Sequence, residues 1–183
     1  MGRPIIVTDY DPAWPRAFEQ LRARIWPAIE GVATAIEHVG STSVPGLAAK
    51  PVIDLTIVVP DALAMATVID RLAGIGYRHR GDLGVAGREA FAAPEEAAAH
   101  HLYACIDEND ALRNHLAVRD CLRSDPAAAA EYGALKKRLA VRFADNIDAY
   151  IDGKTEFILA ILARSGFSAD QMAAIRLINS KSK

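Results

Sequence analysis

A glycine followed by three small hydroxyl residues, Gly40-Ser41-Thr42-Ser43, stands shortly ahead of a carboxylate, Asp54, that lies inside an apolar run. Gly40 permits a ligand to approach the backbone closely, and the three hydroxyls are suited to donating hydrogen bonds to phosphate oxygens. Lys50, between loop and carboxylate, adds a positive charge. On a strand, Val52, Asp54 and Thr56 share one face, while Ile53, Leu55 and Ile57 share the other. An ionised carboxylate among such neighbours is costly unless it is hydrogen-bonded, paired or metal-bound. Asp54 is therefore either a ligand- or metal-binding group or a cap on the backbone N–H groups of the Ser41–Ser43 loop. Its carboxylate is expected in a concave pocket, within hydrogen-bond reach of Gly40–Ser43. The loop is not a P-loop: five residues rather than four separate Gly40 from Gly46, and Leu47 occupies the lysine position.

Other groups could join this site. His100 and His101 are adjacent on a strand-like run and must point to opposite faces, so both cannot meet Asp54. His38 precedes the loop and suits packing as well as chemistry. Arg119 and Arg123 fall at i, i+4 on one helical face. They would either grip a triphosphate with paired hydrogen bonds or tie a helix to the sheet through Asp120 and other carboxylates. Lys136-Lys137-Arg138 reads as a solvated charge run.

The elements that must position these groups change character along the chain. Asp11-Pro12 looks like a helix start, with Trp14, Phe18, Leu21 and Ile25 at helical spacing and Pro27 limiting the helix. Strands are expected near 33–39, 52–59, 77–80, 88–92 and 101–106, and a helix opens at Asp61 and closes at Gly74 and Gly76. From Asn109 the pattern is helical: Leu112, Leu116 and Leu122 mark one helix, and Asp125-Pro126 caps the next. Ile147, Ile151, Ile158 and Ile161 mark a third. Ser168 with Gln171 forms a capping box for the last. Strands alternating with helices and then helices alone suggest one mixed sheet with helices packed against it. A single domain is expected over 1–183, with a core of about 1–108 and a helical part of about 109–183.

Apolar residues make up 51% of the chain and charged residues 24%, the balance of a soluble globular protein. A net charge of −2 gives no general attraction to DNA or to an anionic membrane. Cys105 and Cys121 are isolated and have no metal-ligand spacing. The opening Met1-Gly2-Arg3-Pro4 leads into a short strand-like run without a signal peptide's apolar stretch. A cytoplasmic location is expected.

The segments EHVGSTSVPGLAAKPVIDLTIVV, HHLYACI, HLAVRDCLRSDP, EYGALKKRLA and AYIDGKTEFI, with the opening DYDPAWPRAFEQL, resemble the GrpB family, in order and across nearly the whole chain. The resemblance implies an α/β (α+β) fold of the nucleotidyltransferase superfamily: a mixed β-sheet with flanking helices and a helical C-terminal half. In that superfamily a Gly-Ser loop holds nucleotide phosphates, and carboxylates on adjacent strands bind Mg²⁺. Transferred residue by residue, this gives Gly40, Ser41, Thr42 and Ser43 to phosphate and Asp54 to metal and catalysis. His101 stands beside Asp54 as a second catalytic candidate. Arg88, Arg119, Arg123 and Lys154 fall at family positions and join Lys50 as cations toward the ligand.

The chain departs from the active pattern in two places. Thr56 stands where the second carboxylate belongs, and the third strand offers His101 and Tyr103, with Glu89 a substitute only if it faces the same side. A lone carboxylate holds Mg²⁺ weakly, because that ion prefers several oxygen ligands. The expected function is binding of a nucleotide or phosphorylated ligand, with nucleotidyl transfer from a nucleoside triphosphate as its catalytic form. The alternative is a catalytically silent folding-accessory or ligand-binding module acting with a partner enzyme, as implied by related domains fused to dephospho-CoA kinase. A His101–Asp54 metal site hydrolysing phosphate esters is a third reading.

Overall fold

The computed structural model describes residues 4–180; Met1-Gly2-Arg3 of the opening read from the sequence lie outside them. Of the strand-like run that follows, only Thr8 pairs, in a single antiparallel bridge to Ala49. Helix α1, Trp14–Ile29, buries Trp14, Phe18, Leu21, Ile25 and Ile29 along one stripe. It starts later than the Asp11-Pro12 signal suggested. Asp11 instead accepts the Ala13 N–H through its side chain, in the turn before the helix. Pro27 does not stop α1. It removes one hydrogen bond in the last turn, and the complete burial of Ile25 and Ile29 outweighs that loss.

The chain continues through β1 (Ala35–Val39), a single 3-10 turn (Ser41–Ser43), β2 (Ile53–Val59), α2 (Ala62–Gly74), β3 (Arg78–His79), β4 (Arg88–Ala92) and β5 (His100–Ile106). Asp61 caps α2 by accepting the Ala64 N–H. The strands form one mixed sheet in the order β1-β2-β5-β4-β3. β2 and β5 are parallel, and the other pairs are antiparallel.

Alternation along β2 works as expected. Ile53, Leu55, Ile57 and Val59 bury against α1 and α2 in the main core with Leu102 and Ala104. Asp54 and Thr56 face the other side. There the register aligns Asp54 with His101, Thr56 with Tyr103 and Glu37 with Thr56.

That second face is covered by the helical half: α3 (Asp110–Ser124), α4 (Pro126–Arg142), α5 (Ile147–Arg164) and α6 (Ala169–Ser180). Side-chain oxygens of Asn109, Asp125 and Asn146 cap α3, α4 and α5. Ser168 and Gln171 exchange the two hydrogen bonds of a capping box at α6. Val44 and Leu47, just past the hydroxyl turn, are buried among Leu122, Ala128, Tyr132 and Ile161. The helices are thus clamped onto the loop that carries Ser41–Ser43.

Candidate functional site

Asp54 leaves the sheet at the floor of a cleft between the 3-10 turn, β5, α4 and α5. The cleft, about 350 Å³, is lined by Ser41, Thr42, Lys50, His101, Lys136 and Lys154 among others. Gly40 closes one side, with φ +68° and ψ −173°, a backbone conformation reserved almost wholly for glycine. A β-carbon there would stand 2.2 Å from Asp54 Oδ2. Asp54 does not cap the N–H groups of the Ser41–Ser43 turn among the described residues: its Oδ1 meets His101 Nδ1 at 2.8 Å instead. The turn is fixed by its own groups, Ser43 Oγ donating to the Gly40 carbonyl at 2.6 Å and Thr42 Oγ1 to the Val52 carbonyl. Since an ionised carboxylate only accepts, His101 donates from Nδ1, which in the neutral ring leaves the lone pair on Nε2.

The cations divide into two groups. Arg119, nearly buried, donates to Glu37 Oε2 at 2.6 Å, to the His38 carbonyl and to Asp120. Arg123 donates from Nε and an Nη to the Ser43 carbonyl, at 3.0 and 2.9 Å. Both therefore tie α3 to the sheet and the hydroxyl turn. By contrast, Lys50, Lys136 and Lys154 have no carboxylate partner among the described residues, and all three line the cleft.

Lys136 corrects the sequence reading. It is only 2% exposed, and its ammonium nitrogen has no hydrogen-bond partner among the described residues. Its charge rests over the Tyr132 ring at 4.6 Å. Burial, reinforced by the charge of Lys154 and opposed by Asp54, lowers its pKa from 10.5 to about 7. Lys154 lies over Tyr150 at 4.3 Å, and burial brings it to about 8, with Asp54 opposing and Lys50 reinforcing. Buried charges without partners are expensive. Lys136, buried, and Lys154, half-buried, thus face one cleft without a carboxylate partner among the described residues.

Further along the same face, Thr56 is fully buried, and its hydroxyl meets His115 Nδ1 at 3.4 Å. Burial holds His115 down to about 4, so its ring is neutral near pH 7. Tyr103 beside it carries the Arg88 guanidinium over its ring at 4.5 Å. Glu89 cannot serve as a further carboxylate here. It pairs with Ala104 in register, on the opposite face, and bonds to His79. His38 and His100 also lie on that face. The first stacks on Phe18 and meets Thr42, and the second is bonded to Tyr77 and the Ala98 carbonyl.

These donors do not suit a two-metal centre. Asp54 supplies the one carboxylate at the cleft floor, Thr56 and Tyr103 stand at the neighbouring positions, and three ammonium groups share the cavity. Among the described residues no three His, Cys, Asp or Glu side chains converge as a metal-holding group. A lone protein carboxylate holds Mg²⁺ weakly unless other oxygens, such as those of a bound phosphate, complete its shell.

The structure thus brings Gly40, Ser41, Thr42, Lys50, Asp54, His101 and Lys154 together. It places Ser43 and Arg123 behind the loop as supports, Arg119 on the wall of the adjoining cavity that reaches Asp54 but held by Glu37, and Arg88 one step away over Tyr103. Lys136 and His115 escaped the sequence reading, although a signal existed. Lys136 lies four residues after Tyr132 and three before Leu139, and His115 three after Leu112, each on its helix's apolar stripe.

A profile of the family described as GrpB protein matches residues 4–164. The UPF0157 protein YqkA of Bacillus subtilis (strain 168) is 36% identical over 156 residues, which are 85% of this chain and 46% of that protein. The chain therefore spans about half the length of that relative. The crystal structure of the conserved protein GrpB from Enterococcus faecalis superposes with a TM-score of 0.77 at 35% identity, covering 94% of this chain and 98% of the other. The Cid1 poly(U) polymerase with MgGTP bound matches with a TM-score of 0.54 at 13% identity, over 74% of this chain and 45% of that one; the likeness is one of fold. No helix among the described residues is long and apolar enough to cross a membrane. With the family profile matched over residues 4–164 and its overall fold shared with that crystal structure, the chain belongs to the GrpB family.

Proposed function

We propose that the cleft binds the phosphate chain of a nucleotide or similar phosphorylated ligand, and that Asp54 and His101 support transfer of a nucleotidyl group to an acceptor. One observation carries this reading: Lys136 and Lys154, without carboxylate partners, converge with Ser41 and Thr42 on the cavity that holds Asp54. The β- and γ-phosphates lie against the lysines, whose burial penalty an anion relieves. The Ser41 hydroxyl, on the cleft wall, donates to the chain of phosphates, and Thr42 holds the turn beneath it.

In the transfer step an acceptor hydroxyl oxygen forms a bond to the α-phosphorus, and the bond to the β-phosphate oxygen breaks. Pyrophosphate leaves toward Lys136 and Lys154, which stabilise its developing charge. The hydroxyl proton passes to His101 Nε2, and Asp54, bonded to Nδ1 at 2.8 Å, steadies the resulting imidazolium. Mg²⁺ is implied by the fold family; Asp54 would be its one protein carboxylate, with phosphate oxygens and water completing its shell, and no step above depends on it.

A binding-only role is the second reading, and Thr56 favours it. Buried and bonded toward His115 at the place of a second carboxylate, it leaves the reacting phosphorus less fixed charge than an active site of this fold requires.

The test is label transfer from ATP, GTP, CTP or UTP radiolabelled at the α-phosphate, with cell extract as the source of acceptor. Incorporation that Asp54→Asn and His101→Gln both abolish supports the transferase. Incorporation that survives both changes places the chemistry elsewhere. Tight nucleotide binding without any incorporation selects the binding-only role.

A further inference from the structure

We infer that the chamber between β4, α3 and α6 is a second ligand site, made for a small molecule that joins a carboxylate or phosphate group to an apolar body. The chamber measures about 350 Å³, and its wall includes Arg88, Asn114, His115, Phe167, Ile175 and Asn179. Arg88 is the unusual member. Its guanidinium makes no ion pair or hydrogen bond among the described residues, and its Nε is shut away from solvent without a partner. It sits over the Tyr103 ring at 4.5 Å. A guanidinium presents its donors in a planar fork, the geometry that meets a carboxylate or phosphate with two parallel bonds.

The other polar groups around the chamber show which are free to meet a ligand. Asn109 is engaged with Ala111 and Ala86, and Gln171 donates to Asp110. Asp110, the acid on the wall, is countered by Arg113 at 3.3 Å. Asn114 makes no side-chain hydrogen bond among the described residues, and Asn179 uses only its NH₂ group, toward Thr155. His115 is neutral near pH 7 and engages only through Nδ1. Phe167, Ile175 and Ile178 supply the apolar remainder. One cation, the free carboxamide of Asn114, the partly engaged one of Asn179 and an apolar wall suit a molecule with a single oxyanion better than a polyphosphate.

Asn114, His115, Ile175 and Asn179 line both this chamber and the cavity that reaches Asp54. The lysines and Arg88 are thus two anion-attracting poles on either side of Asp54, Tyr103 and His115. A molecule held by Arg88 directs its far end at Asp54, where its hydroxyl is the oxygen that displaces pyrophosphate. That acceptor role rests on the transferase reading above; the existence of the binding site does not.

Benzoate and phenyl phosphate serve as probes, followed by amide NMR titration of the full chain, with tripolyphosphate titrated in parallel. Both probes should shift resonances of Arg88, Asn114 and the Ala174–Ile178 turn of α6, and the stronger of the two identifies the oxyanion class. Arg88→Gln should weaken them about tenfold while leaving tripolyphosphate binding within about twofold. Ala174→Phe, which fills the chamber from α6 without touching Arg88, should do the same and carries the test if Arg88→Gln fails to fold. Probes that do not bind, or that bind equally to both variants, overturn the proposal. Probes that bind here while tripolyphosphate binds nowhere leave this site standing and remove the phosphate-chain reading of the lysine cleft.

Discussion

Asp54 Oδ2 lies so close to Gly40 that a β-carbon on the glycine would stand 2.2 Å from it. The two residues face each other across adjoining elements, since the register sets Asp54 opposite Val39, immediately before Gly40. Gly40→Ala must therefore displace the carboxylate as well as strain a backbone at φ +68°. Urea denaturation should show a loss of about 1–3 kcal/mol from backbone strain, with a further loss from the clash. Gly46→Ala is the control: φ is +77° but nothing lies within 4 Å of its β-carbon, so it should cost less and leave ligand affinity intact.

The lysines of the cleft, Lys136 buried and Lys154 half-buried, make opposite predictions for stability and for binding. Lys136 has a pKa of about 7 when folded against 10.5 ordinarily, with Lys154, Asp54 and the Tyr132 ring facing it. Between those values the unfolded chain binds more protons, so ligand-free stability should rise with pH across this window and fall as pH drops through it. Lys136→Met should flatten that slope and raise stability near pH 7, on the order of a few kcal/mol, in thermal or chemical unfolding. An anion in the cleft favours the protonated lysines, so its binding takes up protons. Affinity should decline from about pH 6 to about pH 9, and calorimetry in buffers of different ionisation enthalpy reads the uptake directly.

Arg119 should behave as a strut. Its side chain, 12% exposed, holds Glu37 and the His38 carbonyl. Arg119→Ala leaves Glu37 without its partner and should destabilise the fold by about 3 kcal/mol. Tripolyphosphate affinity of the folded fraction should change little. A large loss of affinity at unchanged stability would assign Arg119 to the ligand instead.

Thr56→Asp tests the mismatch with a metal centre. Thr56 shares the face of Asp54 and touches His115, so an aspartate there would put a second carboxylate beside the first. The variant should be less stable than the wild type, because the site is fully buried, and should gain Mn²⁺ binding that the wild type lacks. Paramagnetic broadening by Mn²⁺ reads this directly. Equal Mn²⁺ binding by both proteins would contradict the account of the donor set.

Much of this was legible in the chain because local rules and tertiary contacts agree. Alternation in β2 placed Asp54 and Thr56 on one face, and the Ser168–Gln171 box marked the start of α6. Two local signals failed where packing outweighed them: Pro27 sits within α1, and Asp11 caps a turn rather than the helix. The site was legible only in part. Arg119 and Arg123 share a helix face, but whether they meet a ligand or the sheet depends on Glu37 and the Ser43 carbonyl, distant in sequence. Lys136 was hidden by its charged neighbours. Lys137 reaches Asp9 at an exposed position, while Lys136, one residue earlier and about 100° around the helix, turns inward.

The central claim is that the lysines around Asp54 form an anion well for a phosphate chain. Calorimetric titration of the full chain with tripolyphosphate near pH 7, for the wild type, Lys136→Met and Lys154→Met, tests it most directly. The account predicts binding to the wild type that weakens about tenfold or more in each variant, as expected for loss of a charge-assisted contact. No binding to the wild type, or equal binding to all three, would contradict it.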